Sequence, residues 1–465
     1  MANRITLSLI ANEARLSLKT ALPIIAFELI FAFSGFFATA MIAHLGNEAL
    51  AAHSLVWNIY QTIILFVIGI LFSVSILISQ SFGAKDHHSI KVCFTQGLLL
   101  AIIASPLAML LVWFSPIVLA YTKQDPFIIE LATPALRSLV WTILPLNIMT
   151  VTHHFFMGIN RAYLVTVLSM LSVPLEIFFF YVFIFGKFGF PKLGLSSVGC
   201  GITVAYCLLV LPLLFYIFFS KAFKVYKLFK DLWQIHFKIL LELIRLGLPL
   251  GVMFFLETGL FAAVAIIMGQ LGTNALAAYQ ISYQYLMISI VILFALIQAT
   301  TVRVGIEVGK NNRSSIKLAH AINLALGIVL LLGFSFTYIY FPELVISLDL
   351  DITAPSSQEV VAEASRFLSA VGILILIDCL RSVSTGALRG LKDTKVPLLI
   401  NFIGLWCIAF PIAYLLGFHL QFGGTGIWYG IILGLTTSAV ILTLRFNHIS
   451  KRISLGNMVT KASKV

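Results

Sequence analysis

The sequence predicts an all-α integral membrane protein, with twelve transmembrane helices arranged as two pseudo-symmetric six-helix bundles. Three observations carry this expectation. Of the 465 residues, 60% are hydrophobic and only 10% charged, with a mean hydropathy of +1.05, whereas soluble domains hold roughly 45–50% apolar residues. Apolar runs of about 20 residues, the length that spans the hydrocarbon core, recur along the whole chain. The first half of the chain also repeats in the second. A soluble fold cannot hide this much apolar side chain. The runs are too long for barrel strands, and backbone polar groups inside a bilayer must pair within their own segment, so the runs form helices.

The opening stretch, MANRITLSLIANEARLSLKT, mixes polar and apolar residues and carries Arg4, Arg15 and Lys19. It lacks the apolar core and small-residue cleavage site of a signal peptide. Residues 1–21 read as an amphipathic lead-in on the cytoplasmic surface. Spans follow at 22–44, 50–78, 93–118, 129–157, 163–186 and 198–220, which form an N-lobe over 22–220. A basic connection occupies 221–243. The C-lobe, 244–447, holds spans at 244–269, 276–306, 316–341, 360–388, 396–418 and 425–447, and a cytoplasmic tail covers 448–465. Several spans exceed what a bilayer needs, which permits tilt.

Basic residues set the orientation. One side of the membrane collects Arg4, Arg15 and Lys19, then Lys85, Lys91 and Arg161, then Lys221, Lys224, Lys227, Lys230, Lys238 and Arg245. The same side takes Arg303, Lys310, Arg313 and Lys317, then Arg389, Lys392 and Lys395, and finally Arg445, Lys451, Arg452, Lys461 and Lys464. The opposite loops carry only Lys123, Lys187 and Lys192. The positive-inside rule then puts both termini and the central connection in the cytoplasm. The net charge of +12 reads as topology and contact with anionic lipid; it is spread over membrane loops, which argues against a nucleic-acid partner. Cys93, Cys200, Cys207, Cys379 and Cys407 lie in or beside apolar runs without metal-ligand spacing, so neither a disulfide nor a zinc site is expected.

The repeat is specific. LGNEALAAHS (45–54) and LGTNALAAYQ (271–280) agree at six of ten positions, at an offset of 226 in the numbering. The same offset aligns Leu22-Pro23 with Leu248-Pro249, and Ser89-Ile90-Lys91 with Ser315-Ile316-Lys317. Further on, Gly158 and Gly390 suggest an offset of 232, with the acidic connection SLDLDITAPSSQE (347–359) absorbing the difference. Six is even, so both halves insert in the same direction as a parallel repeat. A cavity served by two such bundles can open to one side and then to the other, which points to transport.

Four acidic residues lie well inside spans: Glu28, Glu176, Glu257 and Asp378. An ionisable group at the centre of a lipid-facing helix costs at least ~2.5–3.5 kcal/mol, so each should face protein or water. Glu257, in FFLETGLF (254–261), lies 13 residues into the seventh span, about 20 Å along a helix rising ~1.5 Å per residue, near mid-membrane. Phe254 and Phe261 share its face. A carboxyl there can exchange a proton, hold Na⁺ or bind an organic cation, on which the aromatic rings would stack. Asp378 has Arg381 one turn later, so it reads as a coupling acid, a local ion bridge or both. Glu28 reads equally as a coupling acid or a solvated entrance residue. Glu176 follows Pro174, whose kink would free a carbonyl beside the carboxylate. Gln280, Tyr283 and Gln284 cluster on one face of the eighth span, either lining a polar cavity or bonding neighbouring helices. His87 and His88 fall in a basic loop and should be solvated; His153 and His154 follow LPLN (144–147) and are expected at the interface. The chain holds no nucleophile elbow, HExxH motif, phosphate loop or glycine fingerprint, which leaves no support for an enzyme or an ATP-driven pump.

Three stretches carry a resemblance: RLGLPLGVMFFLETGLFA (245–262), LGTNALAAYQIS (271–282) and DCLRSVSTGALRGLKDTKVP (378–397). They resemble the multidrug and toxic compound extrusion (MATE) family, in particular its NorM-type branch, and the likeness covers essentially the whole chain. It implies a V-shaped pair of lobes, no cofactor, and export of organic cations in exchange for H⁺ or Na⁺. Glu257 and Asp378 stand where the family carries acids in helices 7 and 10, and Ser172 with Glu176 matches an N-lobe pair found in some relatives. Two positions depart. Ala38 stands where many members carry an aspartate in helix 1, and Arg381 stands where an uncharged polar residue is expected. A fixed cation beside Asp378 argues against Na⁺ there and favours H⁺. The expected function is therefore a cation-coupled multidrug antiporter of the inner membrane, working as a monomer. The alternative is a flippase for a lipid-linked precursor, which would call for a cavity rich in Arg and Lys.

Overall fold

In a computed structural model, residues 7–121, 125–228, 230, 234–352 and 354–452 are described. Arg4, Lys123, Lys461 and Lys464, used in the charge argument, lie outside them, as does most of the tail. Among the described residues eleven helices are long and apolar enough to cross a bilayer, and a bent pair supplies a twelfth. The first six are α1 (Leu7–Ala43), α2 (Asn47–Gly83), α3 (His87–Ala120), α4 (Pro126–Val140 with Ile143–Gly158), α5 (Tyr163–Phe185) and α6 (Gly194–Phe219). The second six are α7 (Phe237–Leu271), α8 (Thr273–Gly309), α9 (Arg313–Tyr340), α10 (Gln358–Gly390), α11 (Lys395–His419) and α12 (Gly423–Arg452).

Helix starts repeat with the sequence. Gly46 and Gly272, equivalent positions of the two halves, precede α2 and α8 at φ 111° and 129°, a left-handed region that favours glycine. Asp86 caps α3 by accepting from the Ser89 N–H at 3.0 Å. Asn312, its equivalent in the second half, caps α9 through the Ser315 N–H at 3.3 Å. Such caps satisfy one of the orphan donors of a first turn. Beyond the third helix of each half the offset becomes 232. Thus α4 runs from Pro126 to Gly158 and α10 from Gln358 to Gly390, while α5 starts at Tyr163 and α11 at Lys395. The connection between α9 and α10, with its short helix Pro342–Ile346, absorbs the difference. Packing repeats as well. A Cβ on Gly158 would lie 2.6 Å from Ile78 Cγ2, and one on Gly390 would lie 2.8 Å from Val304 Cβ; Ile78 and Val304 are themselves equivalent in the repeat.

The halves differ where proline differs. Helix α4 bends by 48° between Val140 and Ile143. Pro145 has no N–H to give to the carbonyl one turn back, which is the break position. Its counterpart in α10 is Ile377, and α10 is continuous.

Contacts divide the chain into two units. One holds residues 26–251; in it α4 is central, packed by α2, α3 and α6. The other holds residues 7–25 and 252–452, around α10, which meets α8, α9 and α12. The cuts fall inside α1 and α7, just after Pro23 and Pro249 and a few residues past the expected span starts at 22 and 244.

Three placements differ from the sequence expectations. The lead-in is no separate surface element, because residues 7–21 continue directly into the first span as one 37-residue helix. Its Glu13 is buried and pairs with Arg303 through two bonds, Nε to Oε1 at 2.9 Å and Nη2 to Oε2 at 2.7 Å. Ser17 accepts from Asn323 Nδ2 at 3.1 Å in the same unit. Arg303 is accordingly a buried residue near the end of α8 rather than a loop cation; it also lies 3.5 Å from Glu307. Finally, His153 and His154 are buried rather than interfacial. After the bend, every residue from Met149 to Gly158 faces the interior, and the two rings pack on Phe27 and Phe72 at 5.0 and 4.6 Å. His87 and His88 are exposed, as their loop suggested.

Candidate functional site

The unit built around α10 brings Glu257, Asp378 and Arg381 together. Asp378 and Arg381 sit one turn apart on α10, so both project from one face. Arg381 Nε donates to Asp378 Oδ1 at 2.5 Å. Arg381 Nη1 reaches α7 and donates to Glu257 Oε1 at 2.6 Å. The same nitrogen donates to Asn401 Oδ1 at 2.9 Å, and Asn401 Nδ2 in turn donates to the Pro397 carbonyl at 2.9 Å. The amide of Asn401 is therefore oriented by its own helix to offer oxygen to the guanidinium. The α10 side chains are closed off at 8% exposure each, while Glu257 keeps 29%. Glu257 is therefore the most exposed of the three charged side chains.

Helix α11 is shaped around this cluster. It contains π-helical turns at Ile403–Ala409 and Leu415–His419, an irregularity that often accompanies functional positions. Within the first, Trp406 Nε1 donates to the Leu256 carbonyl at 3.1 Å, pinning α11 to α7 beside Glu257. Phe254 is buried against Phe294, with ring centroids 5.6 Å apart, and the Arg389 guanidinium lies 5.8 Å from its ring. Phe261 meets Tyr283 at 5.3 Å, and Tyr283 stacks on Tyr279 at 5.6 Å. Gln280 and Gln284 are exposed; Gln284 Nε2 lies 3.4 Å from both Asp349 carboxylate oxygens. Phe254 and Phe261 thus each pack on a ring of α8, while the two glutamines are exposed.

The other unit holds Glu176 and Glu28. Glu176, on α5, is 1% exposed. The Ser34 hydroxyl of α1 donates to its Oε2, and Ser172, one turn earlier on α5, bonds it too. Among the described residues its Oε1 has no hydrogen-bond partner. Nearby, Tyr60 and Thr142 share a 2.5 Å hydroxyl contact. Glu28 lies on α1 and is half-buried. Among the described residues no group of three or more His, Cys, Asp or Glu could hold a metal ion.

Sequence reasoning missed Asn401 and Ser34, and did not foresee that Arg381 would join both acids of this unit. Asn401 had a readable signal, as a lone polar side chain within the apolar run VPLLINFIGLWCIAF, where an intramembrane polar group needs a partner. Ser34 offered less, since a serine within a helix can satisfy itself on its own backbone.

The MatE family model matches residues 23–182 and 249–415, one stretch in each half. A probable multidrug resistance protein NorM of Rhizobium meliloti (strain 1021) is 31% identical over 440 residues, covering 95% of this chain and 94% of the relative. A protein of the same name from Agrobacterium fabrum (strain C58) is 32% identical over 448 residues, covering 95% of each. Among solved structures, the eukaryotic MATE transporter AtDTX14 matches with a TM-score of 0.82 at 20% identity, over 97% of this chain and 98% of that one. An outward-facing multidrug resistance MATE family transporter of the MOP superfamily matches with a TM-score of 0.86 at 18% identity, over 95% and 97%. At these identities the structural likeness speaks for the fold, and the sequence matches speak for kinship. The chain belongs to the MatE family and is a multi-pass NorM-type membrane protein, a secondary transporter rather than an enzyme.

Proposed function

We propose that this transporter exports bulky organic, often cationic compounds by alternating access, in exchange for H⁺ rather than Na⁺. The observation that supports this most is Arg381 bound to both Glu257 and Asp378. A guanidinium has donors and no acceptor, so it holds these oxygens much more tightly while they are ionised. A proton arriving on Glu257 removes its charge and loosens that limb of Arg381. An organic cation reaching Glu257 competes for the same oxygen. In the outward-facing state Glu257 takes the proton and cargo leaves; in the inward-facing state the proton leaves and new cargo competes. The two ligands need only prefer opposite states. Na⁺ would have to settle against a fixed positive charge 2.6 Å from Glu257 Oε1, which disfavours it.

Phe254, Phe261 and Tyr283 form the aromatic wall for cargo, with Gln280 and Gln284 as polar contacts farther out. Asp378 holds Arg381 in place. Glu176, with Ser172 and Ser34, is a second proton site in the N-lobe, and Glu28 is its access residue. The moving parts are the lobes 22–220 and 244–447 joined by 221–243, with residues 22–25 and 244–251 each moving with the opposite lobe. The protein works as a monomer in the inner membrane, without a cofactor, with both termini in the cytoplasm. A flippase for a lipid-linked precursor has less support, because Arg381 is already engaged by two carboxylates and does not offer a free phosphate site.

The deciding experiment is export by proteoliposomes under a pH gradient alone and under a Na⁺ gradient alone. Export with the pH gradient is expected; full activity with only Na⁺ overturns the choice of ion. Purified protein should also release protons when a cationic substrate is added in detergent, and Glu257→Gln should not. Equal release from that variant removes Glu257 from the mechanism, and translocation of a pyrophosphate-linked lipid with no export of organic cations supports the flippase.

A further inference from the structure

The connection after α6 carries a three-residue repeat: Lys221-Ala222-Phe223, Lys224-Val225-Tyr226, Lys227-Leu228-Phe229, then Lys230. The backbone turns with the same period. Tyr226 N–H donates to the Phe223 carbonyl at 3.0 Å, Lys227 N–H to Lys224 at 3.2 Å, and Lys230 N–H to Lys227 at 3.0 Å. Up to Tyr226 such bonds stack residues three apart above one another; Lys227, at φ 49°, then turns the chain to bring Lys230 round. Phe223 and Tyr226 are thereby buried. Phe223 packs on Phe156 at 5.7 Å, with the Arg161 guanidinium 5.2 Å from its ring centroid. Tyr226 meets the His87 ring at 5.3 Å. Phe229 lies outside the described residues. The lysine file, Lys221, Lys224, Lys227 and Lys230, is exposed along its whole length.

This row sits between two membrane spans and is bordered by apolar surface on both sides. Phe215 and Phe219 of α6 are 65% and 54% exposed, and Ile235 and Phe237 at the start of α7 are 65% and 69% exposed. Exposed apolar side chains at the ends of spans, followed at once by cations, mark the level of lipid headgroups, where lysine stems lie on apolar surface and their ammonium groups reach phosphate. The buried aromatic anchors fix the spacing of the row in advance, so little ordering is needed on binding.

We propose that Lys221, Lys224, Lys227 and Lys230 form a binding row for the phosphate groups of anionic phospholipids in the surrounding bilayer. The apolar borders favour lipid over a nucleic acid or an acidic protein, neither of which uses them. The row ties this connection to the membrane surface electrostatically, and the tie weakens with salt.

The test uses the full chain reconstituted in vesicles of equal parts phosphatidylglycerol and phosphatidylcholine, extracted gently and weighed with its bound lipid by native mass spectrometry. The wild-type chain should retain phosphatidylglycerol in excess, each lysine favouring it by on the order of fivefold before screening. The quadruple Lys221→Gln, Lys224→Gln, Lys227→Gln, Lys230→Gln variant should fall to the bulk lipid ratio. The matching Lys→Arg variant should keep the excess, as should Lys187→Gln with Lys192→Gln. An unchanged excess in the Gln variant overturns the proposal. So does wild-type protein that carries RNA or an acidic protein with no lipid preference. Should the Gln variant fail to fold, salt titration of the wild type decides, and an excess that survives high salt overturns the proposal.

Discussion

Glu257 in the second half has Phe31 as its counterpart in the first; Asp378 and Arg381 have Leu146 and Met149. In the other direction, Glu176 corresponds to Ile408 and Ser34 to Leu260. The helix caps, the glycine contacts and the helix starts repeat between the halves, yet none of the buried acids do. Duplication preserved what the backbone needs, and the polar interiors diverged on that shared frame. The divergence has a physical consequence. Glu176 is held by hydroxyls, which can donate to a carboxylate or accept from a carboxylic acid, so that contact survives protonation. Glu257 is held by a guanidinium, which cannot accept. Protonation would therefore leave the Glu176 contact at full strength and weaken the Glu257 contact, which loses its ionic part.

The largest expected effect is on transport. Glu257→Gln should reduce proton-driven export in proteoliposomes to background, while Glu176→Gln retains measurable export. Equal loss in both would show that the halves are functionally equivalent and would break the contrast. Next comes stability. Arg381→Met leaves two carboxylates facing each other without their cation and should cost about 3–5 kcal/mol, read as a lowered midpoint of denaturation in detergent. Adding Asp378→Leu should restore part of it. Ser34→Ala, by comparison, should cost about 1–2 kcal/mol; a cost as large as that of Arg381→Met would erase the distinction.

Smaller effects probe the shared frame. Gly158→Val and Gly390→Val both force a side chain into the neighbouring helix and should each cost about 1–3 kcal/mol by thermal unfolding. A large cost in one half and none in the other would mean that the packing repeat is only apparent. Smallest are the caps, where Asp86→Ala and Asn312→Ala should each cost about 1 kcal/mol in the same assay.

The frame was legible because it is written in local patterns. Span lengths, the proline and glycine positions, and the offsets between matching segments all lie in short windows, and helix ends fell near expectation except at the starts of α1, α3 and α7. The pairings were not legible. Glu257 and Arg381 are 124 positions apart, Ser34 and Glu176 are 142 apart, and Glu13 and Arg303 are 290 apart. No periodicity links such positions. The lead-in misled for this reason, because nothing near Glu13 in the sequence names Arg303 as its partner. His153 and His154 misled differently, since the bend at Pro145 turns a stretch that looks interfacial into core.

The way α1 and α7 are shared also bears on how the gene can be cut. Residues 7–25 fold with 252–452, and 237–251 fold with the first half. Fragments severed at the central connection would each carry a piece of the other's interior and lack their own. Separate expression should therefore yield two insoluble products, and co-expression should rescue both.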